Sequence, residues 1–377
     1  MTTTEHLVAA LDSAGVLPLV WRNAFLEVPR SAFLPTKIWV DDEEGEPQPI
    51  DRATDPERWL TAAHANVAIV TQFDDGASMW PTVGTHRTSS ASEPAMVATM
   101  LDCLDVQHGQ RVLEIGTGTG YNAALLAHRL GVSQVTTVEI DPVIAGMAKT
   151  ALDAAGYPVE TVIGDGAAGW PACACYDRVI ATVAAYLGAL PYEWVRQTAP
   201  GGVIVAPMRA DYMGSGPLVR FTVNDDGLAV GRPVSAVGFM PLRQQRTPYA
   251  DLSDVDFGDR AQNCEVVETM TKPWLVANSI DVRWAISTRI APCRWGHRPP
   301  TIERTHHQLW FADNATGSWA IARYDDTGGP YQIRQHGPRR LWDEIAAAYQ
   351  WWLDQGKPPL TQWQLTIGSD QQSATLI

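Results

Sequence analysis

Apolar residues recur along this chain with two different periods, and the switches between them outline its elements. Over residues 5 to 30, Leu7, Ala10 and Leu11, then Trp21, Phe25 and Leu26, return on common faces at helical spacing. Residues 40 to 60 are acidic and read as loop. NVAIVTQF (66–73) predicts a strand. The polar GTHRTSSAS (84–92) then leads into a helix, EPAMVATMLDCL (93–104), whose Pro94 suits a first turn. From 111 to 207, short apolar runs (RVLEIG, QVTTVEI, ETVIGD, YDRVIAT, GGVIVAP) alternate with helical stretches at 121–130, 142–155 and 189–198. That alternation predicts a parallel, doubly wound sheet. NDDG (224–227) between two alternating segments is a hairpin signal, so antiparallel strands should finish the sheet.

Past about residue 245 the pattern changes. HQLWFADNATGSWAIARY (307–324) reads as strand, turn, strand, and GPRRLWDEIAAAYQWWLDQGKPP (337–359) as a helix. Trp274, Trp284, Trp295, Trp310, Trp319, Trp342, Trp351, Trp352 and Trp363 all fall here, out of 15 in the chain. Three parts follow: a helical segment at 1–90, a core at 91–244, and a tryptophan-rich α+β domain at 245–377. Tryptophan stripes are more often core than binding surface.

Bulk properties narrow the class. With 377 residues, 45% of them hydrophobic, the chain can bury a large core. Its net charge of -14 argues against nucleic acid as a partner, which needs clustered Lys and Arg. The five cysteines are scattered and contain no CxxC pair, which fits a reduced, cytoplasmic chain without structural zinc. The start MTTTEHLVAALDSAGVL lacks the basic, apolar character of a signal peptide, and no apolar run is long enough to predict a membrane span. A monomer is expected.

The chemistry concentrates at RVLEIGTGTGY (111–121). A strand, a glycine loop and a helix make a ligand site at the carboxyl end of a parallel sheet. The third glycine of a dinucleotide fingerprint is replaced by Tyr121, and the Gly-Lys-Ser/Thr of a phosphate loop is absent. What remains is an acid two residues before GxGxG: Glu114, then Gly116, Thr117, Gly118 and Gly120. This suits S-adenosyl-L-methionine (SAM), with Glu114 serving the cationic amino-acid end directly or through water. Glu139, followed by Ile140, ends the next strand and can accept from ribose hydroxyls. Gly164, Asp165 and Gly166 end the third, placing Asp165 for the adenine amino group. The fold class is therefore α/β, a Rossmann-like class I SAM methyltransferase with antiparallel last strands and an added α+β domain.

Further motifs resemble the protein-L-isoaspartate O-methyltransferase family. These are AFLEVPRSAFLP (24–35), SASEP (90–94), VLEIGTGTGY, GDGAAGWP (164–171), YDRVIATVAA, PGGVIVAP and VGFMPL, in the family's order over roughly 15 to 243. By that resemblance Ser92, with Ser90 beside it, matches the active-site serine segment and would hold the substrate carboxylate near the sulfonium methyl. The family's Gln-Thr-Ile-Ser is here Ser89-Ser90-Ala91-Ser92, which reshapes the acceptor wall. The C-terminal extension resembles that of members that tailor ribosomally made peptides, methylating an aspartate whose ester closes to an aspartimide. The partner would then be a modified precursor peptide, or alternatively an isoaspartyl protein awaiting repair. An amino-methylating enzyme of this fold would carry an Asn/Asp-Pro-Pro-aromatic tetrad where this chain has ATVAAY. Lesser candidates complete the reading: Thr182 faces the site, Trp170 and Tyr121 either meet the cofactor or brace loops, and Arg339 with Arg340 either meet an acidic peptide or form a solvated helix start. The adjacent His306 and His307 point opposite ways, against a metal pair.

Overall fold

The structure, a computed structural model, describes residues 3–246, 264–301, 305–325 and 328–377. Residues 247–263, just past the expected boundary at 244/245, lie outside the described residues.

The single helical stretch expected at the start is two helices, α1 (Thr3–Ser13) and α2 (Leu19–Glu27), because Pro18 separates them. The acidic "loop" at 40–60 is structured. β1 (Lys37–Asp41) and β2 (Pro47–Asp51) form a hairpin, and α3 (Pro56–Ala63) follows, capped by Asp55. β3 (Ile69–Phe73) and β4 (Arg87–Ala91) complete a four-stranded sheet in the order β2-β1-β3-β4. β4 is the polar stretch that lacked an apolar signal.

α4 (Pro94–Leu104) leads into the central sheet. β5 (Val112–Ile115), α5 (Tyr121–Leu130), β6 (Val135–Glu139), α6 (Pro142–Ala154), β7 (Glu160–Ile163) and β8 (Tyr176–Ala181) give the expected alternation. A two-residue β9 (Ala185–Tyr186) and a short α7 (Tyr192–Arg196) precede β10 (Thr198–Arg209), β11 (Gly216–Val223) and β12 (Ala229–Val237). β7, β6, β5, β8 and β10 run parallel, and β11 and β12 are antiparallel. Every residue of β5 and β6 is buried, as strands covered on both faces require.

The C-terminal part forms the added α+β unit, with a sheet of its own. β13 (Glu265–Thr269), α8 (Ile280–Ser287), β14 (Arg294–Arg298), β15 (His307–Asp313), β16 (Ser318–Tyr324), β17 (Tyr331–His336) and α9 (Leu341–Asp354) include a five-stranded antiparallel sheet, β13-β17-β16-β15-β14. The last hairpin, β18 (Trp363–Ile367) and β19 (Gln372–Leu376), instead joins the central sheet, with β18 antiparallel to β12. Trp284, Trp342 and Trp363 sit in one continuous core with Leu113, Ile115 and Phe221 of the central strands. Trp284 and Trp363 meet edge to face at 6.2 Å. The tryptophans weld the extension to the sheet.

Candidate active site

The carboxyl ends of β5 and β6 open into a cavity of about 1050 Å³, solvent mouth included, roofed by β4 and residues 240–244. Its floor is the glycine loop. Gly116 has φ +93°, and a Cβ there would lie 2.6 Å from Thr182 Oγ1, whose hydroxyl donates to Gly116 O. Gly118 has φ +55°, and a Cβ would stand 3.4 Å from the backbone oxygen of Ser90. Bare backbone is needed where the loop passes under β4.

Two carboxylates hold the loop in shape. Glu114 is wholly buried, with Oε1 accepting from Asn122 Nδ2 and Oε2 from Thr137 Oγ1, each at 2.6 Å. Burial pushes its carboxyl up to about 7 against those hydrogen bonds. Glu139 accepts from Gly118 N at 3.0 Å and from Asp141 N at 3.1 Å, and burial raises it too. A cationic ligand in this cavity would favour the ionised form of both.

The acceptor side is built around Ser92. The cap of α4 is supplied elsewhere: Asn66 Oδ1 accepts from Ala95 N at 2.8 Å, and Asn66 Nδ2 donates to Glu93 Oε1. Ser92 is therefore not spent as a helix cap, and its backbone is pinned from behind. Arg30, 1% exposed, donates to the carbonyls of Ser92, Ala91, Val67 and Ala65. Burial lowers the guanidinium to about 10. Ser89, Ser90 and Ser92 all line the cavity, but the Ser89 hydroxyl is engaged, accepting from Thr71 Oγ1 at 2.9 Å.

Of the residues singled out in the sequence, Ser90, Ser92, Glu114, Gly116, Thr117 and Gly118 share this cavity. Tyr121, Glu139, Ile140, Gly166 and Thr182 line it as well. Gly120, Gly164 and Asp165 do not. Asp165 is exposed and accepts from Ala167 N, capping a short turn. Glu114 reaches outward through Asn122 and Thr137, since both its oxygens are already engaged.

A family model described as protein-L-isoaspartate(D-aspartate) O-methyltransferase matches residues 2–247. The chain belongs to this family. It is a SAM-dependent methyltransferase. Among its relatives, protein-L-isoaspartate O-methyltransferase 2 of Polaromonas sp. is 38% identical over 156 residues, covering 41% of this chain and 72% of the relative. Protein-L-isoaspartate O-methyltransferase 1 of Rhodopseudomonas palustris is 33% identical over 240 residues, covering 63% and 82%. A solved structure entitled protein-L-isoaspartate O-methyltransferase aligns over 99% of both chains, with a TM-score of 0.54 and 21% identity. The overall architecture, C-terminal part included, therefore has a solved counterpart.

Other residues of this methyltransferase were not read from the sequence as site residues. Arg30 lay inside the quoted VPR motif, where an arginine between proline and an apolar run was the available signal. Asn66 and Thr137 act through partners more than twenty residues away, and Asn122 lines the cavity while bonding Glu114, pairings that no local pattern encodes. Arg243 lines the cavity roof and bridges Asp75 at 2.9 Å and Asp141 at 3.3 Å. Tyr121 braces the loop against the N-terminal segment, edge-on to Phe25 at 6.2 Å. Trp170 is tied to Glu160 and Gln197, away from the cavity lining. Arg339 is partly buried and binds Asp313 and Glu344, so it is structural, whereas Arg340 stays at the solvated helix start in a surface pair with Glu265. His307 stacks on His297 and Tyr324, and no group of three metal-binding side chains occurs among the described residues. Nor is any described helix long and apolar enough to cross a membrane.

Proposed function

We propose that this methyltransferase esterifies the side-chain carboxylate of an aspartyl or isoaspartyl residue in a polypeptide, with Ser92 and Ser90 holding the acceptor. The observation that carries this reading is the placement of two uncommitted serines on the cavity of the glycine loop, the Ser92 backbone being locked by Arg30. The residues present fit SAM: bare glycine backbone, Glu139 at the strand end for the ribose, and buried acid beneath the loop for the cationic end. When bound, SAM supplies a positively charged, electrophilic methyl group.

The chain's own contribution is placement. A carboxylate is anionic at neutral pH, so no strong base is required. Ser90 and Ser92 donate hydrogen bonds to one carboxylate oxygen and leave the other aimed along the transfer axis. The roof of residues 240–244 limits water. Glu114 positions Asn122 and Thr137 and so the loop. Asp165, which lies outside the cavity lining but precedes the lining residue Gly166, would serve the adenine edge.

The preferred acceptor in this proposal is an aspartate in a constrained, ribosomally made peptide, whose ester is attacked by the next backbone nitrogen to give an aspartimide. Its support is the wall of small residues Ser90, Ala91 and Ser92, which leaves room for a bent acceptor segment. Repair of isoaspartyl proteins is the second reading, favoured by the names of the relatives. The two are separated by incubating the enzyme and SAM with a cyclised Asp-containing precursor and with a linear isoaspartyl peptide, following methyl gain by mass spectrometry. Methylation of the cyclised Asp peptide supports tailoring. Turnover of the linear isoaspartyl peptide alone ends it.

A further inference from the structure

A second groove, of about 1030 Å³ with its solvent mouth, lies where the C-terminal part meets the end of β10. Its floor is one face of the terminal hairpin. In that hairpin Leu365 stands opposite Ala374 and Ile367 opposite Gln372, so all four side chains share a face. One wall is residues 208–212, the other residues 287–293 after α8. The core and the extension each supply half of it.

One stretch of chain contributes to both this groove and the active site, passing through the buried Ala184 and Ala185. Thr182 and Val183 line the methyltransferase cavity, and Tyr186, Leu187 and Gly188 line the groove. The intervening step spans about 10 Å of extended chain. Two glutamines clamp residues 186–190. Gln245, next to the cavity-lining Gln244, accepts from Tyr186 N at 2.7 Å and donates to Ala189 O at 2.6 Å. Gln372, from the terminal hairpin, accepts from Leu190 N at 3.0 Å and donates to Leu190 O at 2.7 Å. The groove's wall at residues 186–188 is therefore fixed and not a loose loop.

We infer that this groove is a substrate subsite, binding the stretch of polypeptide that flanks the methyl-accepting residue. The chemistry fits an extended peptide with an apolar side chain. Leu187, Ile290 and Ala374, partly exposed, offer apolar surface, and the hydroxyl oxygens of Ser287 and Thr288, which donate to the carbonyls of Arg283 and Ala285, can still accept from a peptide N–H. This inference rests on the polypeptide-methylating reading, and it gives the extension a direct part in choosing substrate.

The test compares a short isoaspartyl peptide with versions lengthened at either end by alternating leucine and serine. In the wild-type enzyme one lengthened peptide should show a KM lower by roughly tenfold or more, the gain from burying one leucine side chain. Filling the groove from either side, with Ala374→Trp or Thr288→Trp, should erase that gain while the short peptide's kcat and KM and the affinity for SAM stay unchanged. The inference is overturned if neither lengthened peptide gains, or if the gain survives both fillings. Should the wild type methylate no peptide, the carboxyl-methylation reading fails, and fluorescence anisotropy of the labelled lengthened peptides still decides the groove. Tighter binding than the short peptide, lost on filling, supports it, and equal binding overturns it.

Discussion

Ser92 owes its availability to a division of labour among its neighbours. Asn66 caps α4 and Arg30 holds the local backbone, so the hydroxyl has no structural duty. Ser92→Ala should therefore lower kcat by roughly 10- to 100-fold, the worth of a hydrogen bond to a charged group, with thermal midpoint and SAM affinity unchanged. Equal loss of stability and turnover would mean that the hydroxyl is structural after all. Glu114 makes a different prediction. Its folded-state carboxyl sits near 7, above the usual carboxylate range, because burial outweighs its two hydrogen bonds. The folded state thus holds the proton more tightly than the unfolded chain does. Stability from this group is fully present below about 4.5 and declines as pH rises through about 7, by on the order of 3 kcal/mol. Glu114→Gln should flatten the fall in urea stability between pH 5 and pH 8. SAM binding should show the opposite slope in the wild type, tightening as pH rises across that range, because the ionised acid suits a cation. A pH-independent SAM affinity would remove the electrostatic role.

At the scale of elements, the junction of β4 and α4 depends on one buried cation. Replacing Arg30 by Met keeps bulk but strands four carbonyls, those of residues 65, 67, 91 and 92. We expect a loss of roughly 3 kcal/mol or more in denaturant unfolding, with kcat falling further than Ser92→Ala alone would explain. The same junction shows where sequence reading succeeds and where it stops. The β5-to-β8 alternation was legible because strands buried on both faces are continuous apolar runs, and the Asn224–Gly227 turn because its residues match its geometry. β4 was not legible, because Arg87–Ala91 carries hydroxyls toward a cavity and one another in place of an apolar stripe. β1 and β2 escaped notice through their acidic and proline-rich composition. β18 did carry a readable signal, Trp363, Leu365 and Ile367 alternating inward, that the sequence reading passed over. For the site, the glycine loop and its acids were legible from spacing. Arg30, Asn66 and Arg243 act across tens of residues, and only the folded chain brings Arg243 to the cavity and the other two to the backbone behind it.

On the scale of the molecule, the tryptophan-rich part is bound to the catalytic sheet by a shared core and a shared strand pairing. Ending the chain after residue 244 would expose the edge of β12 and the apolar faces around Phe221 and Val223, both otherwise buried. Such a truncation should be insoluble or unfold without a cooperative transition by circular dichroism. A soluble, cooperatively folding fragment would show that the two parts are separable. The pairing of β12 with β18 also bears on how the protein is made. Ala229, Val230 and Gly231 leave the ribosome long before Leu365, Thr366 and Ile367 are synthesised. The nascent polypeptide must therefore carry an incomplete sheet throughout elongation, a state in which chaperones have time to act and premature release would yield aggregates.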